Sequence, residues 1–200
     1  MGFAKRLKMR LSDLIRLEKP DLLSSRYGKA FEKAVLILIK AKDSVAAIRT
    51  FIEHYGEPHT GAFNKLLKLT PWAKKVVEIE PAPPVSLSLD GVTISAQADF
   101  IVKYADGKKE LVELKSHILK KGEWKTKAEW SLATKIMRML YRRSGYDYPL
   151  RLIYFVERGD GVVVPEEEVF IYPNDDKDDE VLINVLRERI RKALGRKTSQ

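Results

Sequence analysis

Residues 76–117 constrain the fold more than any other part of this chain. Their apolar residues alternate, and Asp90-Gly91 and Asp106-Gly107 punctuate the alternation as tight turns. Stretches 76–80, 85–89, 92–104 and 109–117 are therefore predicted as strands of a β-meander. Helical spacing lies on both sides. A helix is expected over 26–42, with Ser24 and Ser25 as N-cap candidates, and another over 44–55, where Val45, Ile48 and Ile52 share a face. Gly56 and Pro58 end the second helix. A shorter helix follows through Leu69, and Pro71 opens the change of period. After the meander come a helix over 125–143, an apolar strand over 151–157, a shorter strand over 168–172 and a helix over 179–194 stopped by Gly195. That order predicts an α/β (α+β) protein with a mixed central sheet flanked by helices. With 200 residues the chain fits a single domain. Its core is expected over about 25–157, with a basic N-terminal arm over 1–20 and a C-terminal strand and helix over 165–195.

The hairpin around Asp106-Gly107 carries the chemistry. Glu113 stands in an apolar strand, where a charged side chain needs a reason. If residues 106–108 form a three-residue loop, Phe100 faces Leu114 and Val102 faces Val112, which gives one apolar face. On the other face Asp99 then lies opposite Lys115, and Ile101 opposite Glu113. A two-residue loop would separate Asp99 from the other two and scramble the apolar side. Two carboxylates held together raise each other's pKa unless a cation sits between them. Mg²⁺, with its preference for carboxylate and water oxygens, is the natural candidate, with Mn²⁺ as a substitute. A lysine beside such an ion can stabilise charge on phosphate or orient an attacking water. The alternative is a cross-strand Asp99–Lys115 salt bridge on a solvated sheet face, against which Ile101 and Leu111 on the same face argue.

Composition excludes several other chemistries. The chain has no cysteine, so disulfides, thiolate catalysis, cysteine zinc sites and iron–sulfur clusters are ruled out. The three histidines show no metal-ligand spacing. No apolar run approaches bilayer length, so no membrane partner is expected. The N-terminal MGFAKRLKMRLSDL lacks an apolar core and cleavage site, so a cytoplasmic setting is expected. The net charge is +9. Residues 115–143 hold nine basic residues against Glu123 and Glu129, an excess suited to a polyanion. Lys120, Lys121, Lys125, Lys127, Lys135, Arg138 and Arg142 are the candidate nucleic-acid contacts. On the helix from Lys125, Lys135, Arg138 and Arg142 are expected on one face, away from a core stripe of Ala133, Ile136, Met137 and Leu140. That face either tracks a phosphate backbone or is simply solvated. Trp124 and Trp130 suit base stacking, core packing or a contact with a partner.

In the first helix, AFEKAVLILI at 30–39 contains Glu32 as its only acid, with Gly28, Leu36 and Ile39 on its side. A carboxylate so placed serves as a site residue or as a partner for the helix dipole. Together with RYGKAFEKAV at 26–35, QADFIVKYADG at 97–107 and ELVELKSHI at 110–118, it resembles the PD-(D/E)XK nuclease superfamily. The RecB-like and archaeal Holliday-junction-resolvase-like branches are the most similar. The resemblance covers roughly residues 25–157 and implies the restriction-endonuclease-like αβββαβ core. It implies Glu32, Asp99, Glu113 and Lys115 as catalytic residues. The metal ligands it implies are Asp99, Glu113, Glu32 and the Leu114 carbonyl. The Gln and Tyr that many RecB-like members carry on the following helix have no clear match between Glu129 and Tyr141.

The function expected from all this is Mg²⁺-dependent hydrolysis of DNA phosphodiester bonds. With no ATPase or cluster motif, a structure-selective endonuclease of junction-resolvase type is favoured over a RecB-like exonuclease. Resolvases act as symmetric dimers, so a homodimer is part of that expectation. A non-catalytic DNA-binding or assembly protein that keeps the fold is the rival, and an RNA substrate stays open.

Overall fold

Alternation after Val76 does form strands. The computed structural model describes residues 7–15, 22–159, 161–170 and 176–197. In chain order these form β1 Leu7–Arg10, α1 Leu11–Ile15, α2 Leu22–Ala41, α3 Ser44–Tyr55, α4 Thr60–Lys75, β2 Val76–Pro81, β3 Val85–Leu89 and β4 Val92–Ala96. They continue with β5 Phe100–Tyr104, β6 Lys109–Leu119, α5 Trp124–Arg143, β7 Leu150–Glu157, β8 Val163–Phe170 and α6 Asp176–Lys197. Two mixed sheets result, one of order β1-β4-β3 and one of order β2-β5-β6-β7-β8. No helix among the described residues is long and apolar enough to cross a membrane.

The five-stranded sheet is the middle layer. On one side α2, α3 and α4 bury Phe31, Leu38, Phe51 and Leu66 against Val102, Val112, Leu114 and Phe155. On the other side, Ile101, Leu111 and Leu150 share a cluster with Ile15 of α1, Ile136 and Leu140 of α5 and Leu186 of α6. The same cluster takes in Val85, Val92 and Ile94 of the small sheet. A strand covered on both faces reads as a near-continuous apolar run, as Leu111–Leu114 would but for Glu113.

Local chemistry explains where the elements depart from expectation. Helix α2 runs from Leu22 to Ala41, so Ser24 and Ser25 lie at positions within it. Helix α3 has its cap where the sequence suggests an end: Asp43 accepts the Val45 N–H at 2.8 Å, and Gly56 closes the helix at φ 96°. Pro71 does not end α4; the helix runs on to Lys75, and the proline forfeits one intrahelical hydrogen bond on an exposed face. Gly195 likewise sits inside α6. Strand β8 begins at Val163, earlier than the expected 168, because it pairs with β7 from Glu157 onward, with Glu166 and Glu168 turned in towards the Tyr154 hydroxyl and Glu167 exposed, on an edge strand that also tolerates Pro165. Residues 171 and 172 of the expected strand lie outside the described residues. Of the expected basic arm, 1–6 and 16–20 also lie outside them. The rest of that arm is no arm: Leu7–Arg10 pairs in parallel with β4, and Leu11, Leu14 and Ile15 are buried.

Two further corrections shape the site. The expected strand over 92–104 is interrupted at 97–99, and its halves belong to different sheets. The Gln97 amide donates to the Ala82 carbonyl at 2.8 Å, and Ala82 N–H donates to the Asp99 carbonyl at 3.3 Å, which pins the crossing. Hairpin register differs by two residues from the expected one: Phe100 pairs with Val112 and Ile101 with Leu111. The loop is 105–107, closed by Tyr104 N–H to Lys108 C=O and Gly107 N–H to Tyr104 C=O, each at 2.9 Å. A three-residue hairpin loop needs a left-handed third residue. Gly107 supplies it at φ 83°, where the expected loop would have forced Lys108 into that conformation. Because the shift is even, every side chain keeps its predicted face.

Candidate active site

The last ladder pair between β5 and β6 is Phe100 with Val112, so Asp99 arrives level with Glu113 just where β5 leaves the sheet. Strand β6 continues to Leu119 without β5 beside it. Asp99 N–H donates to the Val112 carbonyl at 3.0 Å, and its Oδ2 accepts the Leu114 N–H at 2.6 Å. One residue earlier, Ala98 N–H donates at 3.0 Å to the hydroxyl of Tyr141 on α5, which in turn donates to the Pro83 carbonyl at 2.6 Å. Burial pushes the Tyr141 hydroxyl up to about 12, so it remains a donor through the neutral range. Backbone and α5 together therefore fix the position of Asp99.

Glu113 is buried at 7% exposure, and its Oε1 accepts from Lys115 Nζ. Its Oε2 has no hydrogen-bond partner among the described residues. Such an oxygen is costly to bury. Asp99's carboxyl is pushed well above its usual range, first by burial and then by the charges of Glu113 and Glu32, with Lys115 and the Leu114 N–H opposing. Glu32 is likewise raised, by burial first and then by Glu113, with Lys115 and Lys29 opposing. The three carboxylates and Lys115 thus form one electrostatic group, drawn from α2, the start of β5 and β6.

Two openings reach this group. A cleft of about 320 Å³ is lined by Glu32, Lys33 and Leu36 of α2, Pro81, and residues Gln97 to Phe100. A smaller cavity of about 50 Å³ brings Glu113 and Lys115 against α1 and α5, including Ser12, Glu129, Trp130 and Met137. No three His, Asp or Glu side chains among the described residues converge as a ready metal cluster. What fits a hard divalent cation is the donor chemistry: carboxylate oxygens at Asp99, Glu113 and Glu32, one of them buried without a partner.

The expected basic face does not hold together. Lys120, Lys121 and Lys125 are exposed in the loop and first turn after β6. Lys127 is half-buried, 3.2 Å from Glu168 and over the Tyr154 ring. Lys135 is exposed beside Phe170. Arg138, at 2% exposure, is in the core and ion-paired with Asp147. Arg142 pairs at 2.8 Å with the buried Asp179 of α6. The stripe of Lys135, Arg138 and Arg142 is therefore broken by the loop that carries Asp147 and by α6. The two tryptophans also separate: Trp130 is buried against Tyr154, while Trp124 is 73% exposed.

Tyr141 and Lys65 were missed from the sequence. Tyr141 looks like one more apolar position on α5. Lys65 is the charged residue on an apolar face formed by Ala62, Leu66 and Leu69, and that mismatch is the signal that could have found it.

No family model matches the chain, and no curated protein matches it in sequence. Solved structures are similar in shape only. SSO0001 is 14% identical with a TM-score of 0.46, covering 95% of this chain and 78% of its own. A protein from Eubacterium rectale, named as a candidate exonuclease, is 10% identical with a TM-score of 0.48, covering 94% and 78%.

Proposed function

We propose that this protein is a divalent-metal-dependent nuclease that hydrolyses DNA phosphodiester bonds at the centre formed by Asp99, Glu113 and Lys115. The observation that carries the reading is the buried Oε2 of Glu113, without a partner among the described residues, beside an Asp99 whose ionised form is disfavoured by burial and then by its acidic neighbours. A site that concentrates negative charge in low dielectric is complete only with a cation. Asp99, Glu113 and the Leu114 carbonyl would hold Mg²⁺, or Mn²⁺ in its place, and Glu32 would hold a further ligand or water. When bound, the ion supplies charge neutralisation at phosphate and acidifies a bound water. Lys115, held by Glu113, would orient an attacking water and stabilise negative charge developing on the phosphate. Leu114 N–H keeps the Asp99 carboxylate aimed, and Tyr141 holds the segment that carries it.

Lys120, Lys121, Lys125 and the exposed Trp124 follow directly from the strand that carries Glu113 and Lys115. They form the surface that receives the nucleic acid: ammonium groups on phosphates, and the indole on a base. Within this class the reading is of a structure-selective endonuclease working as a homodimer, with an exonuclease as the alternative. Cleavage of labelled single-stranded, duplex and four-way-junction DNA with Mg²⁺, Mn²⁺ or EDTA tests it. Metal-dependent cutting, reduced at least about 100-fold in Glu113→Gln and Lys115→Ala, is the expected outcome. Product lengths separate endonuclease from exonuclease. Equal DNA binding by all three proteins with no cleavage of any substrate would replace the nuclease by a non-catalytic DNA-binding protein.

A further inference from the structure

Lys65 of α4 is 4% exposed, and none of its contacts among the described residues is a carboxylate. Its ammonium lies 5.0 Å from the ring centre of Tyr27, 5.4 Å from that of Phe155 and 5.8 Å from that of Phe31. It donates to the Tyr27 hydroxyl at 3.1 Å and to the backbone carbonyl of Ser116. A buried ammonium among rings gains cation–π attraction but loses far more hydration. Burial accordingly draws its pKa down to about 8. A methionine would fill the same apolar space without that cost, so the directional donor is what the position retains.

The acceptor shows what that donor is for. On β6, Leu114 pairs with Ile153 and Ile118 with Phe155, so residues 115–117 face only Tyr154 on β7. This is a bulge with two extra residues, and bulges re-aim side chains at the point where they interrupt a ladder. Lys115 opens the bulge, and Ser116 is its middle residue. Gly28 of α2 comes close to it: a Cβ there would stand 3.9 Å from Ser116 Oγ. We propose that Lys65 is a positioning residue, whose ammonium holds the Ser116 carbonyl and thereby sets the bulge that presents Lys115 to Glu113. This rests on the reading of Lys115 as a site residue, and the test has one arm that does not depend on activity.

In that arm Lys115 is acetylated with acetic anhydride, and its rate is compared by mass spectrometry with that of exposed Lys40 in the same protein. Lys65→Met is expected to fold and to change the Lys115:Lys40 ratio about threefold or more. Tyr27→Phe, which keeps the ring and removes one of the two acceptors, is expected to change it in the same direction by less. Lys65→Arg, which retains a cationic donor, restores most of the wild-type ratio. In the second arm, Lys65→Met lowers kcat for DNA cleavage about tenfold with KM unchanged, and Lys65→Arg recovers part of the loss. Wild-type ratios in folded Lys65→Met, or in Tyr27→Phe if Lys65→Met does not fold, overturn the proposal. A wild-type protein that cuts no DNA overturns the nuclease reading, while the acetylation ratios still decide whether Lys65 sets Lys115.

Discussion

Asp99 meets three influences at once: burial, two acidic neighbours, and a single backbone N–H with Lys115 to offset them. A carboxyl whose folded pKa is raised binds its proton more tightly in the folded chain than in the unfolded one. Its contribution to stability therefore falls as pH rises from the ordinary carboxylate range, about 4, through the raised value. Glu32 acts in the same direction. Without metal, the difference in stability between Asp99→Asn and wild type is expected to favour the variant increasingly as pH climbs from 4 to 8, measured by urea unfolding. Added Mg²⁺ should reverse that order, since a ligand at 100 times its Kd stabilises the wild type by about 2.7 kcal/mol and the variant by little. A flat pH difference and no Mg²⁺ effect would remove the cation from the site.

Helix α5 connects the sheet to the rest of the fold through charges that its sequence suggests are for DNA. Arg142 and Arg143 converge on Asp179 of α6, at 2.8 and 3.0 Å, and the Asp179 side chain is 2% exposed. Removing one partner of a buried pair leaves the other charge poorly solvated. Asp179→Ala is expected to cost about 2 kcal/mol, less than a fully buried pair would, because Arg143 is 42% exposed. Hydrogen exchange should localise the loosening to α6 and the end of α5. Unchanged protection of α6 would mean that its apolar residues, Leu186 and Ile190 among them, hold it alone.

For the whole molecule, the excess of +9 matters where it is free to meet phosphate. Lys120, Lys121 and Lys125 are exposed; Arg138 and Arg142 are committed to acidic partners within the fold. Replacing the three lysines with alanine should weaken DNA binding and flatten its dependence on log salt by about 2–3 in slope, at 0.7–0.9 per phosphate contact. Arg142→Ala should leave that slope unchanged while lowering stability. The reverse pattern would place the nucleic-acid surface on the far end of α5.

Face assignment was legible in the sequence because side-chain direction in a strand depends only on parity. Asp99, Glu113 and Lys115 therefore share a face in spite of a register two residues from the expected one. The apolar strands, the helix before them and the lone acids within both were likewise readable, since period and composition are local properties. Burial is not local. Arg138 and Arg142 occupy what looks like a solvated stripe, and only the arrival of α6 and the 147 segment turns them inward. Nothing in residues 97–99 marks the passage between two sheets, because Ala82, Pro83 and Tyr141 that hold it are distant in the chain. Lys65 reaches a bulge 51 positions away, where a carbonyl outside the ladder needs a donor that sequence spacing cannot name. The sequence by itself determined which chemistry stands on which face. The tertiary structure alone decided which charges remain free to use it, because long-range packing sets desolvation.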